Sequence, residues 1–181
     1  MRAPILALIL ALPLPVLAEQ MDMAARFADH AAKGRTGLAR KTKPVDARPA
    51  QPGEVIVTLI RGEGIETRSK PAQPGDQVVR NRCPQTGNEE YLVSAAKFPD
   101  RYEATSQAAG GWREYRPKGQ EMGYFIIPQG EGPYTFAAPW GEEMVARAGD
   151  AIVGSPADPS DVYRIAAASF ACSYEITRAA P

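Results

Sequence analysis

The apolar positions of this chain fall into two regimes. Near the N-terminus, "EQMDMAARFADHAAK" (Glu19–Lys33) places Met23, Phe27 and Ala31 at intervals of four, the spacing of one helix face; Gly34 follows as a helix stop. From Glu54 onward the runs are shorter, and apolar side chains alternate with polar ones, the period of a strand with one buried face. "EVIVTLI", "IETR", "DQVVRN" and "EYLVS" read as strands, and "AAKFPDRY" reads as one short helical turn with Phe98 and Tyr102 on the same side. "YFII", "YTFAA", "EEMVAR", "DAIVGS" and "DVYRIA" form a second series of strands, ended by a short helix in "AASFACSY" and a final strand in "EITR". Between these regimes, "GRTGLARKTKPVDARPAQPGE" has no apolar period and reads as a Pro-rich linker over residues 34–53. The predicted organisation is therefore a β-rich module over 54–104, a small polar joint over 105–121 and a second β-rich module over 122–181. The fold class is α+β and mainly β: two tandem antiparallel sheets or partly open barrels, each with one short helix before its last strand.

The two modules share a motif. "GDQVVRNRCPQTGNEEYLVSAAKFPDRYE" starts at Gly75 and "GDAIVGSPADPSDVYRIAAASFACSYE" starts at Gly149. Gly75 and Asp76 match Gly149 and Asp150; Tyr91, Phe98 and Tyr102 match Tyr163, Phe170 and Tyr174. Such self-similarity indicates an internal duplication. Each glycine is expected at a turn with positive φ, each aspartate to hold that turn, and the aromatic residues to fill cores. The motif reads as scaffold, which directs the search for function to the unrepeated Cys83 loop, the tryptophans and the linker.

The sequence Pro74-Gly75-Asp76, followed by a strand, a tyrosine, a Phe-x3-Tyr helix and a glutamate, resembles the PGDYG-type module, a small bacterial and phage family. The family's Tyr-Gly after Pro-Gly-Asp is replaced here by Gln77-Val78, and by Ala151-Ile152 in the second copy. The resemblance implies a fold and carries no activity with it.

Composition changes the picture in three places. "MRAPILALILALPLPVLA" has Arg2, an apolar run and small residues at Val16 and Ala18, the pattern of a cleaved signal peptide over residues 1–18. The mature chain is then expected to start at Glu19, to be exported to the periplasm or secreted, and to have no membrane span after cleavage. Seventeen prolines and sixteen glycines favour a turn-rich β architecture, and a formal net charge of +0 argues against a nucleic-acid partner. The two cysteines, Cys83 and Cys172, one in each copy, are expected to form a disulfide in an oxidising compartment.

No motif for nucleophilic, metal or phosphate chemistry occurs, so no catalytic residue, metal or cofactor is assigned. His30, the single histidine, reads as a solvated helix residue. A carboxylate site built from Asp76, Glu103, Asp150 and Glu175 is the enzymatic alternative. It would make the protein a hydrolase of cell-envelope polymers. Trp112, Tyr115 and Trp140 form a possible binding surface, either packed between the modules or exposed. The expected function is a non-catalytic binding or accessory protein of the envelope, its partner an envelope protein or polymer; a structural envelope protein is a third possibility.

Overall fold

In the computed structural model, which describes residues 19–106 and 109–181, strands dominate and the described helices are short. The signal-peptide assignment falls outside the described residues. Helix α1 (Met23–Ala32) starts where the Asp22 carboxylate accepts the Ala25 N–H at 2.9 Å, an N-cap that satisfies one of the helix's free donors. Two residues, Glu19–Gln20, precede it as strand β1.

The stretch read as a linker is not one. It forms β2 (Gly37–Lys41) and β3 (Val45–Pro49), and each is hydrogen-bonded on both sides within a five-stranded sheet. The core-facing residues there are Gly37, Ala39, Val45 and Ala47. Such small side chains give almost no hydropathic alternation, so pairing with neighbouring strands, rather than apolar pattern, decides the conformation. The joint over 105–121 likewise contains a strand, β9 (Arg113–Pro117), and reaches the start of β10 (Glu121–Ile126).

The remaining elements in chain order are β4 (Val57–Ile60), β5 (Gly64–Arg68), β6 (Gln77–Asn81), β7 (Glu90–Val93), α2 (Phe98–Arg101) and β8 (Tyr102–Ala104), all before β9. After β10 come β11 (Tyr134–Ala137), β12 (Glu143–Ala146), β13 (Ala151–Ser155), β14 (Asp158–Ile165), α3 (Ala167–Ser173) and β15 (Tyr174–Arg178). The first sheet has the order β7-β6-β3-β9-β8, and the second has β14-β13-β10-β2-β15. Both are antiparallel throughout. The hairpins β4-β5 and β11-β12 pack on them, and β1 joins β11 in parallel. No sheet closes into a barrel.

These orders match element for element, with one exchange. β2 precedes β3 in the chain but completes the second sheet, and β9 precedes β10 but completes the first. The chain thus crosses between sheets at residues 42–44 and again at 118–120. The turn geometry is also shared. Gly75 and Gly149 have φ of 92° and 89°. Asp76 accepts the N–H groups of Gln73 (2.8 Å) and Ala95 (2.9 Å), and Asp150 accepts those of Arg147 (2.8 Å) and Ala167 (3.1 Å). Phe98–Tyr102 and Phe170–Tyr174 both pack with ring centroids 5.2 Å apart, the first pair tilted and the second stacked.

Each sheet has an inner cluster beneath its short helix: Val45, Ala47, Val79, Val93, Phe98 and Tyr102 in the first, and Ala39, Met122, Tyr124, Ala151, Val153 and Phe170 in the second. The outer face of the second sheet is covered by α1 and the β11-β12 hairpin through Met23, Phe125, Phe136 and Met144. Burying a side chain such as Phe136 contributes about 1.5–3 kcal/mol. Phe27 lies over Gly123 and Gly154, where a Cβ would come within 3.0 and 2.5 Å of its ring. Contrary to the solvated reading, His30 stacks on Phe125 at 4.1 Å with Nδ1 buried and unpartnered; burial, with Arg26 and Arg35 nearby, lowers its pKa. Cys83 and Cys172 form a disulfide with Cα atoms 6.1 Å apart, tying the loop after β6 to α3. Among the described residues, no helix is long and apolar enough to cross a membrane.

Candidate functional site

Where the chain crosses between sheets, the two halves enclose a cavity of about 570 Å³. Its walls combine the tyrosines of the repeated motif with residues that are not repeated. Tyr91 stands on β7 and Tyr163 on β14, each opposite the central valine of the neighbouring strand (Val79 and Val153). Tyr102 and Tyr174 begin β8 and β15 as the residues that close α2 and α3. The hydroxyls of Tyr91 and Tyr102 are 2.8 Å apart, and those of Tyr163 and Tyr174 are near enough for each to shift the other's pKa. Burial raises the pKa of all four, Tyr102 to about 12, so they remain protonated donors at neutral pH. Tyr91, Tyr163 and Tyr174 are screened from bulk water yet keep accessible surface, because that surface faces the cavity.

Lys41, the last residue of β2, enters this cluster. Its Nζ donates to Asn81 Oδ1 at 2.6 Å and to the Tyr91 hydroxyl at 3.2 Å, and it lies 5.4 and 5.7 Å from the rings of Tyr91 and Tyr174. Among the described residues, no carboxylate comes within ion-pair distance of it. Burial is the main force pulling its pKa down, to about 8; Arg101 adds to this and Glu89 opposes it. At the position β9 offers to Tyr102, corresponding to that of Lys41 beside Tyr174, stands Pro117.

Two buried carboxylates, Glu89 and Asp161, precede Tyr91 and Tyr163 by the same interval. Each is bound by the helix of the other half. Ser169 of α3 donates to Glu89 at 2.7 Å, whereas Lys97 and Arg101, at α2, reach Asp161 at 3.3 and 3.0 Å. Glu89 also accepts from Asn81 at 2.8 Å and from the Thr86 hydroxyl. Burial works against its ionised form, but these three donors hold its pKa below the usual range.

A second charged group borders the cavity. The buried Arg164 guanidinium reaches Asp150 (2.6 Å), Glu63 (2.5 Å) and Glu66 (2.9 Å), joining β14 to the β4-β5 hairpin of the other half. One cation cannot neutralise three carboxylates. Burial, reinforced by Glu89, Asp150 and Glu63 against the pull of Arg164, pushes Glu66 up to about 7. Glu142, also in the wall, has a buried Oε2 without a hydrogen-bond partner, and burial raises its pKa.

The residues singled out from sequence divide clearly. The tyrosines of the motif, taken as scaffold, line the cavity, while Phe98 and Phe170 stay in the inner cores. Trp140 stands at the cavity mouth, 38% exposed and 5.8 Å from the Tyr163 ring. Trp112 lies elsewhere, beneath the guanidinia of Arg80 (4.1 Å) and Arg48 (5.3 Å), and Tyr115 packs edge-on against Phe98 at 4.9 Å. The four carboxylates of the enzymatic alternative do not converge: Asp76 and Asp150 are spent on turns, and Glu103 and Glu175 form exposed pairs with Arg116 and Arg40. Lys41, Arg101, Glu66, Glu89 and Asp161 were missed. The last two were legible by extending the repeat alignment two residues before each tyrosine. Lys41 and Arg101 carried no signal, because they have no counterpart in the other half.

No family model, no curated protein and no solved structure matches this chain.

Proposed function

We propose that this chain is an exported accessory protein of the cell envelope that binds a small organic anion in the cavity between its two halves. The observation that carries this reading is the placement of Lys41 and Arg101. They are close enough to depress Lys41, in a space lined by tyrosine hydroxyls that stay protonated. An anion between the two cations relieves their repulsion and receives hydrogen bonds from neutral donors. Met122, Leu92 and Trp140 supply the apolar wall that a carbon skeleton needs. The Cys83–Cys172 disulfide supports an oxidising compartment.

Titration with benzoate, pyruvate and inorganic phosphate, read by calorimetry and by Trp140 fluorescence, tests this. The expected result is binding that weakens with salt and falls at least tenfold in Lys41→Met. Absence of binding by every anion, together with a ligand-free native mass spectrum of protein isolated from the periplasm, would sink it.

One observation favours the hydrolase reading as a second possibility. Glu66, raised to about 7, and Glu89, held low, are cavity carboxyls whose environments push their pKa values apart, as an acid and a base require. Release of sugars or peptides from purified peptidoglycan, abolished by Glu66→Gln, would establish it; no release by the native protein rejects it.

A further inference from the structure

Building on the anion-binding reading of the cavity, we infer that Lys41 is a nucleophile that captures a small α-oxo acid as an imine. Three of the cations around the cavity are bound to carboxylates: Lys97 and Arg101 share Asp161, and Arg164 has three acidic partners. Lys41 is held by neutral groups, the Asn81 amide oxygen from β6 and the Tyr91 hydroxyl from β7. A structural lysine in so enclosed a place would be expected to face a carboxylate. Glu89 is nearby, but its oxygens are taken up by Asn81, Thr86 and Ser169. The remaining neighbours are the Tyr174 ring of β15 and the Arg101 guanidinium of α2, neither of which stabilises the ammonium as a carboxylate would.

With its pKa at about 8, roughly a tenth of Lys41 is free amine at pH 7. An ordinary lysine has over a hundredfold less. A desolvated amine near a second cation is a recognised route to a nucleophilic lysine. The proton donor is also in place: Tyr91 touches Nζ and is itself hydrogen-bonded to Tyr102.

The chemistry balances without an oxidant or reductant. The Nζ lone pair forms a C–N bond to the carbonyl carbon while the C=O π pair moves to oxygen. That oxygen takes a proton from Tyr91, whose hydroxyl is restored by one of the two nitrogen protons. The second nitrogen proton follows the same relay to the hydroxyl, which leaves as water while the nitrogen lone pair forms the C=N bond. One amine and one carbonyl compound yield one imine and one water. The substrate's carboxylate faces Arg101, which spends Nη2 on Asp161 and retains further N–H donors. A carbonyl next to a carboxylate therefore fits between the two cations, and an uncharged aldehyde uses only one of them.

The mature chain, disulfide intact, is incubated with pyruvate and cyanoborohydride, and in parallel with propanal. Adducts are counted by intact mass and located by peptide mapping. The expected result is a single carboxyethyl group on Lys41, formed at least tenfold faster than on any other lysine, with a rate midpoint near pH 8. Lys41→Arg, which keeps the charge, should abolish it, and Tyr91→Phe, which removes one of the cavity's hydroxyl donors, should slow adduct formation by a larger factor than it weakens anion binding. Pyruvate should outpace propanal; the reverse order overturns the α-oxo acid assignment. Label spread evenly over surface lysines, or a rate still rising at pH 10, overturns the nucleophile. Anion binding without a Lys41 adduct removes this inference and leaves the binding reading standing, whereas loss of both removes both.

Discussion

Asp76 in the first half and Asp150 in the second accept the same pair of backbone N–H groups, yet only Asp150 also receives a guanidinium, that of Arg164. The same contrast recurs across the molecule. Arg116–Glu103 and Arg40–Glu175 are matching exposed pairs, and Glu89 and Asp161 are matching buried acids. Lys41 and Arg101, however, have no cationic partner in the other half. A shared frame holds the cavity while the two halves differ in what they point inward. The outer faces differ for a steric reason. On the second sheet the paired glycines Gly123 and Gly154 leave room for Phe27 of α1. On the first sheet the paired Asp46 and Arg80 form an ion pair, and Arg80 covers Trp112. Only one face can receive the helix.

The strongest test of the contrast compares the two turn aspartates. Asp76→Ala removes two part-buried hydrogen bonds from backbone N–H groups and should cost about 1–3 kcal/mol. Asp150→Ala removes the equivalent two and also the charged hydrogen bond from Arg164, which keeps Glu63 and Glu66, so a loss larger by about 1–2 kcal/mol is expected by denaturant unfolding. Equal losses would mean that the buried guanidinium adds nothing to the frame.

Next in size is a gain. Glu66 is raised from an ordinary value of 4.5 to about 7, so between those values the folded chain binds more protons than the unfolded one. Its contribution to stability is greatest at low pH and is lost as pH rises through about 7. Glu66→Gln should therefore stabilise the protein by about 1–3 kcal/mol at pH 8, a gain that vanishes near pH 4. Destabilisation at pH 8 in place of the gain would show that the Arg164 pair, rather than burial, controls this carboxyl.

The smallest effect separates the outer faces. Gly154→Ala places a methyl against the Phe27 ring and should cost about 1–2 kcal/mol, with faster amide exchange in α1. On the first sheet, Arg80→Ala removes a partly exposed ion pair and should cost under about 1 kcal/mol. Protection of α1 unchanged in Gly154→Ala would show that Met23, not the glycine groove, holds the helix.

Most strands of 54–104 and 122–178 were legible because β-branched and aromatic residues alternate there, and α1 was legible from Met23, Phe27 and the Gly34 stop. β2, β3 and β9 were not. Their inward residues are small or mixed, and they become strands only because neighbours distant in the chain pair with them on both sides. The candidate site was half legible: the tyrosines were found but taken as filler, since a sequence records that Tyr91 and Tyr163 recur without recording which way their hydroxyls face.

By itself, then, the sequence determined the repeated turn, the helix that closes each half and the availability of two cysteines for one bridge, because these depend on local conformation and on residue chemistry. Only the tertiary structure decided that the first strand of each half crosses to the other sheet. That crossing carries Lys41 to Tyr91 and Tyr174, and sets Arg101 across from Asp161. These partners lie far apart in the chain, and their meeting is fixed by strand pairing and burial, which no local pattern of residues encodes.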